Sequence, residues 1–392
     1  MTIIVTGGDG HIGWPTALRI ATRTDDRVIL VDNFARREWV EEVGSVSGVP
    51  IASIDERIEA AEEVHDITNL SFVEGDLVEK SFVDELLAVH EPDTIVHTAA
   101  QPSAPYSQIN GERANYTQHN NMQATRNLLW GLEEHDLTDT HFIETTTTGV
   151  YGAPEFPIPE GGATMENQGE DDEVPFPAMA GSWYHLTKSH DAANMRLAHS
   201  QFDIPITDVR TAITYGTGIE ETEADPRLAT RFDFDYYFGV VAHRFAAQAV
   251  AGYPMTVYGK GEQRKPFVAM EDAVEGLAQL ALIDPDDRPD DHVVYNQVTR
   301  AISIVEVAET IADVAGEYDL DVDVKHYENP RDEDETHKME IENDRYADLI
   351  DGQGTTFEEG VRSILGTLVE HDDRITAHED RFLPGVLTED ED

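Results

Sequence analysis

A doubly wound parallel α/β sheet with a smaller C-terminal lobe is the fold that this 392-residue sequence predicts, and three observations carry the prediction. Over residues 1–210, short β-branched runs alternate with stretches of helical periodicity, the pattern of parallel strands joined by crossover helices. Between the first strand and the first helix lies a glycine-rich turn, Gly7-x-x-Gly10-x-x-Gly13. An acid, Asp32, ends the second strand about 20 residues further on, as in dinucleotide-binding units.

In chain order, strands are expected at Thr2–Thr6, Arg27–Val31, Ser71–Glu74, Thr94–His97, His141–Glu144 and Ile206–Arg210. Helices fit His11–Arg23, Ser81–His90, Ala114–Glu134 and Tyr184–Gln201. Residues 1–210 then form a Rossmann domain, whose ligands lie beyond the carboxyl ends of the strands. After Arg210 the pattern loosens into helices near Tyr236–Ala251, Glu271–Leu282 and Ile304–Tyr318, separated by short strands and Pro/Gly turns. Residues 211–392 are read as mainly a substrate-binding lobe, with some elements returning to the first domain. Prolines, glycines and an acidic run between Gly152 and Gly181 predict an ordered loop, residues 152–182, over the site. The acidic last ~20 residues predict a frayed end.

The chain carries 27 Lys+Arg against 79 Asp+Glu, a formal charge of −52. Such a field repels phosphate backbones and anionic lipid, so neither a nucleic-acid nor a membrane partner is expected. Disorder is countered by 40% hydrophobic residues, including 14 Phe, 13 Tyr and 4 Trp, which suffice for a sizeable core. Only six cations are lysines (Lys80, Lys188, Lys260, Lys265, Lys325 and Lys338). That composition suits concentrated salt, which screens self-repulsion, and a halophilic archaeal source is expected. The absence of Cys removes disulfides, thiolate metal sites and cysteine nucleophiles. No His or carboxylate spacing suggests a metal site, and no apolar run reaches the ~18 residues of a spanning helix. Without a basic leader before the first strand, the expected location is cytoplasmic.

In the glycine turn, Gly7 permits the tight bend, Gly10 lets the backbone approach a pyrophosphate, and Gly13 lets helix pack on strand. With His11 and Ile12 these are the candidate phosphate contacts, at a helix N-terminus rich in free N–H groups. Asp32 can accept from both ribose hydroxyls and would repel a 2′-phosphate, so NAD is the expected cofactor. Asn33 follows it. Arg36 and Arg37 keep NADP open, the simpler alternative being that they pair with nearby acids. Asp76-Leu77, after the third strand, is placed for the adenine, and Thr98-Ala99-Ala100, after the fourth, lets a cofactor lie close to the backbone.

Tyr184-x-x-x-Lys188 puts a phenol and an ammonium on adjacent turns of one helix face. The ammonium favours the phenolate, making Tyr184 a base able to take a hydroxyl proton as hydride leaves the same carbon. Thr147, within Thr145-Thr-Thr-Thr-Gly149-Val-Tyr-Gly152, can add a hydroxyl to this network. The simpler alternatives are an amphipathic helix and a strand-end threonine. Helices Ala114–Glu134 and Tyr184–Gln201 carry apolar residues on more than one face, including Leu128, Leu129, Trp130 and Leu132, which predicts a homodimer.

Taken with Gly7-Gly-Asp-Gly-His-Ile-Gly-Trp14, Asp32-Asn33, Ser103-Ala-Pro-Tyr-Ser107, Tyr116-Thr-Gln-His-Asn-Asn121, Tyr184-His-Leu-x-Lys188, Thr256-Val-Tyr-Gly-Lys-Gly261 and Asn329-Pro-Arg331, these residues make a family visible. The chain resembles the extended short-chain dehydrogenases/reductases of the nucleotide-sugar epimerase/dehydratase type over nearly its full length. Within them it is most similar to the branch that makes a sulfonated sugar. The resemblance implies bound NAD and a UDP-glucose substrate that is oxidised at C4, loses water across C5 and C6, gains sulfite at C6 and is reduced again at C4. It also implies Asn121 as a cofactor contact, and Gln101, Ser103, Tyr106, Arg244, Gln263, Arg264, Lys265 and Arg331 as substrate contacts. Which of Arg264 and Lys265 meets the diphosphate stays open. The Asp-Glu pair with which related dehydratases eliminate water is absent after Thr147, leaving His185 as the proton shuttle. Ala99-Ala-Gln-Pro102 stands where that branch has Gly-Glu-Gln-Arg, and Thr147-Thr-Gly-Val-Tyr-Gly152 is closer to ordinary epimerases. The alternatives are therefore a UDP-hexose 4-epimerase without sulfite and a non-catalytic NAD-binding regulator.

Overall fold

The computed structural model describes residues 1–176, 180–288, 291–328, 339–352 and 354–384. Its main sheet has seven parallel strands: β1 (Thr2–Thr6), β2 (Arg27–Asp32), β3 (Leu70–Glu74), β4 (Thr94–His97), β5 (His141–Thr147), β6 (Ile206–Thr211) and β7 (Val293–Gln297). Their spatial order is β7-β6-β5-β4-β1-β2-β3, so the winding reverses between β1 and β4. Thr6 is in register with Val31 on one side and His97 on the other, which brings three strand ends to one crevice. Ile3, Ile4, Val5, Ile95 and Val96 are fully buried, as expected of strands covered on both faces.

Helix α1 (Gly13–Arg23) covers one face through Trp14, Leu18 and Ile20, against Leu277 and Leu280 of the helix Met270–Ala281. The other face is covered by α2 (Gly111–Glu134) and α3 (Trp183–Phe202), through Leu128, Leu129, Leu132, Met195 and Ala198. Each such buried side chain contributes about 1.5–3 kcal/mol. Asn110 and Ser182 cap these two helices by accepting from Arg113 N and His185 N. A second core gathers Phe245, Val257, Phe267, Ile311 and Ile364. It lies around the helix Val241–Val250 and a three-stranded sheet of Ile213–Tyr215, Arg264–Ala269 and Arg300–Ser303. β7 returns from this region to pair with β6.

Several expectations are corrected. The first helix begins at Gly13 rather than His11. Two helices, Ala35–Glu42 and Ile54–His65, fill the span between β2 and β3, the second opened by a Ser53/Glu56 capping box. The helix expected from Tyr236 starts at Val241, because the Asp235 carboxylate accepts from Tyr237 N and Phe238 N and turns the chain there. Ile304–Tyr318 is α-helical only to Ala315 and ends as a 3₁₀ turn. The loop over the site contains a hairpin, Gly162–Asn167 with Glu170–Pro175. It turns at Gln168 and Gly169, whose φ of 57° and 86° are the paired positive angles of a type I′ turn. The C-terminal end is anchored as far as residue 384, because Ile375 and Phe382 are fully buried and Arg374 Nε donates to Ser47 O at 2.7 Å. Residues 385–392 lie outside the described residues.

A pH dependence follows from His141, at the start of β5. Its ring is fully buried with Nε2 2.8 Å from Thr207 Oγ1, and burial, aided by Arg288, pushes its pKa down to about 3. Between the unfolded value of about 6.5 and that of the fold, only the unfolded chain binds this proton, so stability is lost as pH falls through this window. In His141→Gln the acid loss of unfolding free energy should be shallower by about 1.4 kcal/mol per pH unit. Urea unfolding between pH 4 and 7 measures this; equal slopes in both proteins would refute it.

Candidate active site

The crevice at the ends of β1, β2 and β4 is shaped for a ligand that approaches the backbone. Gly7 has φ +75°, and a Cβ there would stand 2.7 Å from Thr98 Oγ1. A Cβ on Gly13 would stand 2.1 Å from Gly7 O. Gly7 N and Gly8 N donate to Val31 O at 2.8 and 3.1 Å, and Gly10 N donates to Gly7 O at 2.9 Å. Ile12, at the head of α1, offers no capping side chain, and the first turn has no acid, so the N–H groups there suit a pyrophosphate. Asp32 accepts from Phe34 N at 2.7 Å and Asp9 N at 2.9 Å, while burial pushes its carboxyl up. Its oxygens keep lone pairs for ribose hydroxyls. The donor and acceptor set fits NAD.

The cations near this turn are committed to acids. Arg37 grips Asp9 with two 2.7 Å bonds, and Arg57, fully buried over the Trp14 ring at 4.2 Å, reaches the same carboxylate at 3.1 Å. Arg36 donates to Asp233 at 3.0 and 2.6 Å and lies 4.1 Å over Phe238, the acid pairing that the sequence offers as the simpler reading. His11 points away from the turn, its Nδ1 2.8 Å from Arg231 O. Asn33 Oδ1 accepts from Ala35 N at 3.1 Å, and Asp76 Oδ1 accepts from Val78 N at 2.9 Å, both as local turns. Leu77 is buried. Thr98 Oγ1 donates to Thr6 O at 2.6 Å, and Ala99 N reaches Thr6 Oγ1 at 3.4 Å, which draws Thr98-Ala99-Ala100 against β1.

At the end of β5 a second group converges. A Cβ on Gly149 would stand 2.4 Å from the His185 ring, so that ring lies on the backbone two residues past Thr147. Thr147 Oγ1 accepts from Gly149 N at 3.1 Å, and the Tyr184 and His185 rings are 5.2 Å apart. Lys188 is 2% exposed, its Nζ 2.9 Å from Glu144 Oε1 and 3.8 Å from Asp191 Oδ2. Burial raises the Tyr184 phenol and outweighs Lys188, which pulls it down as the sequence predicts. Burial works against the Lys188 ammonium, but Glu144 and Asp191 hold its pKa above the ordinary value.

Several predicted contacts are engaged within the protein. Asn121 accepts from Gln101 N at 2.8 Å and donates to Gln101 O and Thr187 Oγ1 at 3.1 and 3.0 Å, clasping the chain at residue 101 to α3. The Tyr106 side chain is fully buried and its hydroxyl donates to Glu42 at 2.7 Å. Ser103 caps Tyr106 N and donates to Tyr237 O. Arg264 donates to Glu306 at 3.1 Å and to Ala301 O. Side chains alternate along a strand, so Lys265 projects from the opposite face. Arg244 is buried, 5.7 Å from the Phe245 ring and 5.6 Å from the Tyr258 ring, and Gln263 is buried just before the strand Arg264–Ala269. Arg331 lies outside the described residues. Sequence reasoning missed Asp9, Asp233, Glu144 and Asp191. Glu144 left a signal, a carboxylate inside the apolar strand pattern Phe142-Ile143-Glu144.

Residues 3–296 match the NAD dependent epimerase/dehydratase family, and the chain belongs to that family. It is 35% identical to the chloroplastic UDP-sulfoquinovose synthase of Spinacia oleracea over 98% of this chain and 78% of that protein. It is 38% identical to the UDP-sulfoquinovose synthase of Sulfolobus acidocaldarius over 86% and 84%. Among solved structures, the UDP-glucose 4-epimerase of Thermotoga maritima has the same fold, with a TM-score of 0.69 at 20% identity over 94% of this chain and 99% of that one. Among the described residues no cluster of His, Asp and Glu could hold a metal ion, and no helix is long and apolar enough to cross a membrane.

Proposed function

We propose that the protein converts UDP-glucose and sulfite to UDP-sulfoquinovose. The observation that carries this reading is the convergence of Thr147, Tyr184 and His185 at the end of β5, beside a glycine cradle that fits NAD, in a chain over a third identical to two synthases of that name. The Gly7–Gly13 turn and Asp32 would hold NAD, which would supply the acceptor and later the donor of the C4 hydride. Tyr184 takes the C4 hydroxyl proton, its phenolate favoured by Lys188, with Thr147 hydrogen-bonded to the same oxygen. The resulting ketone acidifies C5. His185 removes the C5 proton and delivers it to the C6 hydroxyl, which leaves as water. Bisulfite gives its proton to His185 as its sulfur bonds to C6, His185 passes that proton to C5, and Tyr184 returns its own proton to the C4 oxygen as hydride comes back. Arg244, Lys265 and Arg331 are the cations for the diphosphate.

Purified protein given UDP-glucose in molar salt should form a UDP-hexose with a C6 sulfonate only when sulfite is added, as read by mass and NMR. UDP-galactose formed equally with and without sulfite would assign the protein as an epimerase. No turnover of any UDP-sugar would revive the regulator.

The partner is a second copy of this chain. The outer faces of α2 and α3 carry His119, Met122, Arg126 and Trp130, and Trp183, His190, Ala193 and Leu197, with Trp130, Trp183 and Leu197 46–55% exposed. None of these eight positions is an acid in a chain of charge −52, which lowers like-charge repulsion between them. Light scattering in molar salt should give twice the chain mass; a monomer would refute the pairing.

A further inference from the structure

Lys188 has two carboxylates for one ammonium. Lys188, Glu144 and Asp191 are all at most 2% exposed, with Nζ 2.9 Å from Glu144 Oε1 and 3.8 Å from Asp191 Oδ2. Both oxygens of Asp191 and Glu144 Oε2 are buried without a hydrogen-bond partner. Two ionised carboxylates would leave this sealed site at −1 with three unsatisfied oxygens, a costly arrangement. One proton removes the imbalance, because a protonated carboxyl both loses its charge and becomes a donor to its neighbour.

The surroundings supply no other route to neutrality. From β4, His97 faces the group through Thr125, its Nε2 3.2 Å from Thr125 Oγ1, which in turn donates to Glu144 Oε1 at 3.4 Å. Burial keeps that imidazole neutral. From β6, Asp208 is balanced by Arg210 at 2.9 Å. From α3 itself only Tyr184 remains, and a second negative charge on the pair would oppose its ionisation.

We infer that Glu144 and Asp191 are positioning residues: the two carboxyls share one proton, and the single negative charge left between them balances the Lys188 ammonium and fixes it behind Tyr184. The proton resides mainly on Asp191, whose carboxyl is pushed well up by burial and by the adjacent Glu144. This inference rests on the reading of Tyr184 and Lys188 as the acid/base pair.

The experiment compares wild type, Asp191→Asn and Glu144→Gln/Asp191→Asn. Infrared difference spectra of wild type minus Asp191→Asn at neutral pH should show a protonated carboxyl, with no turnover required. Asp191→Asn, which imitates the protonated acid, should lower kcat by no more than about threefold and abolish the alkaline fall in kcat that loss of the shared proton causes. The double variant leaves the buried ammonium without a counter-charge, so that burial drives the proton off Lys188 and the neutral amine no longer favours the Tyr184 phenolate. Its kcat should fall ~10²-fold with the acid limb moved to higher pH and KM for UDP-glucose little changed. The absence of a protonated carboxyl in the difference spectrum would overturn the shared proton. An alkaline limb unmoved in Asp191→Asn would overturn the positioning role. Full activity in Tyr184→Phe would instead remove the acid/base reading while leaving the spectral result standing.

Discussion

Tyr184→Phe should lose at least ~10²-fold in kcat while retaining its NAD, the loss typical of a removed acid/base group. The substitution deletes one hydroxyl and little volume, and the backbone of residue 184 stays tied by its N–H to Ser107 Oγ at 3.2 Å. The glycine cradle is on different elements, so cofactor occupancy, read by absorbance and mass after purification, is the control. Turnover within a fewfold of wild type would show that another group takes the C4 proton.

Gly13→Ala should weaken NAD binding by roughly tenfold to a hundredfold. The new methyl would sit 2.1 Å from Gly7 O and 2.9 Å from Thr98 Oγ1, so the head of α1 or the Gly7 peptide must move. Overpacking of this kind costs about 1–3 kcal/mol, and 1.4 kcal/mol is a tenfold change in affinity. Gly111→Ala, where a Cβ meets nothing within 4 Å, is the matched control. Calorimetric titration of the stripped protein with NAD measures both. Equal affinity in Gly13→Ala and wild type would show that the cofactor does not use this turn.

Six of the seven strands of the main sheet were legible because each is a short β-branched run followed by turn chemistry, whereas β7, Val293–Gln297, was given no bounds. β1 and β4 match their expected bounds, and β2, β3, β5 and β6 extend theirs by one to three residues. The hidden elements each had a physical reason. The Ser53-x-x-Glu56 capping signal lay in an acidic stretch without strong apolar periodicity. The hairpin near Gly169 has almost no apolar face to alternate. The C-terminal anchors Ile375 and Phe382 are two residues in an otherwise acidic text. In the site, the glycine turn and the Tyr184/Lys188 pair are local in sequence and could be read. The partner that engages Arg36 is 197 residues away, and the one that holds Lys188 is 44 residues away, so only the fold brings them together.

Helix α3 carries Tyr184, half-buried, and Lys188, buried on Glu144, and exposes Trp183, His190, Ala193 and Leu197. In the proposed dimer, one rod of backbone serves as both the mount of the base and the wall between two subunits. Dilution that separates the subunits would expose the back of that mount to water and loosen it. Specific activity should then depend on protein concentration through kcat, while the far wall that holds the nucleotide, and with it KM, stays as it was.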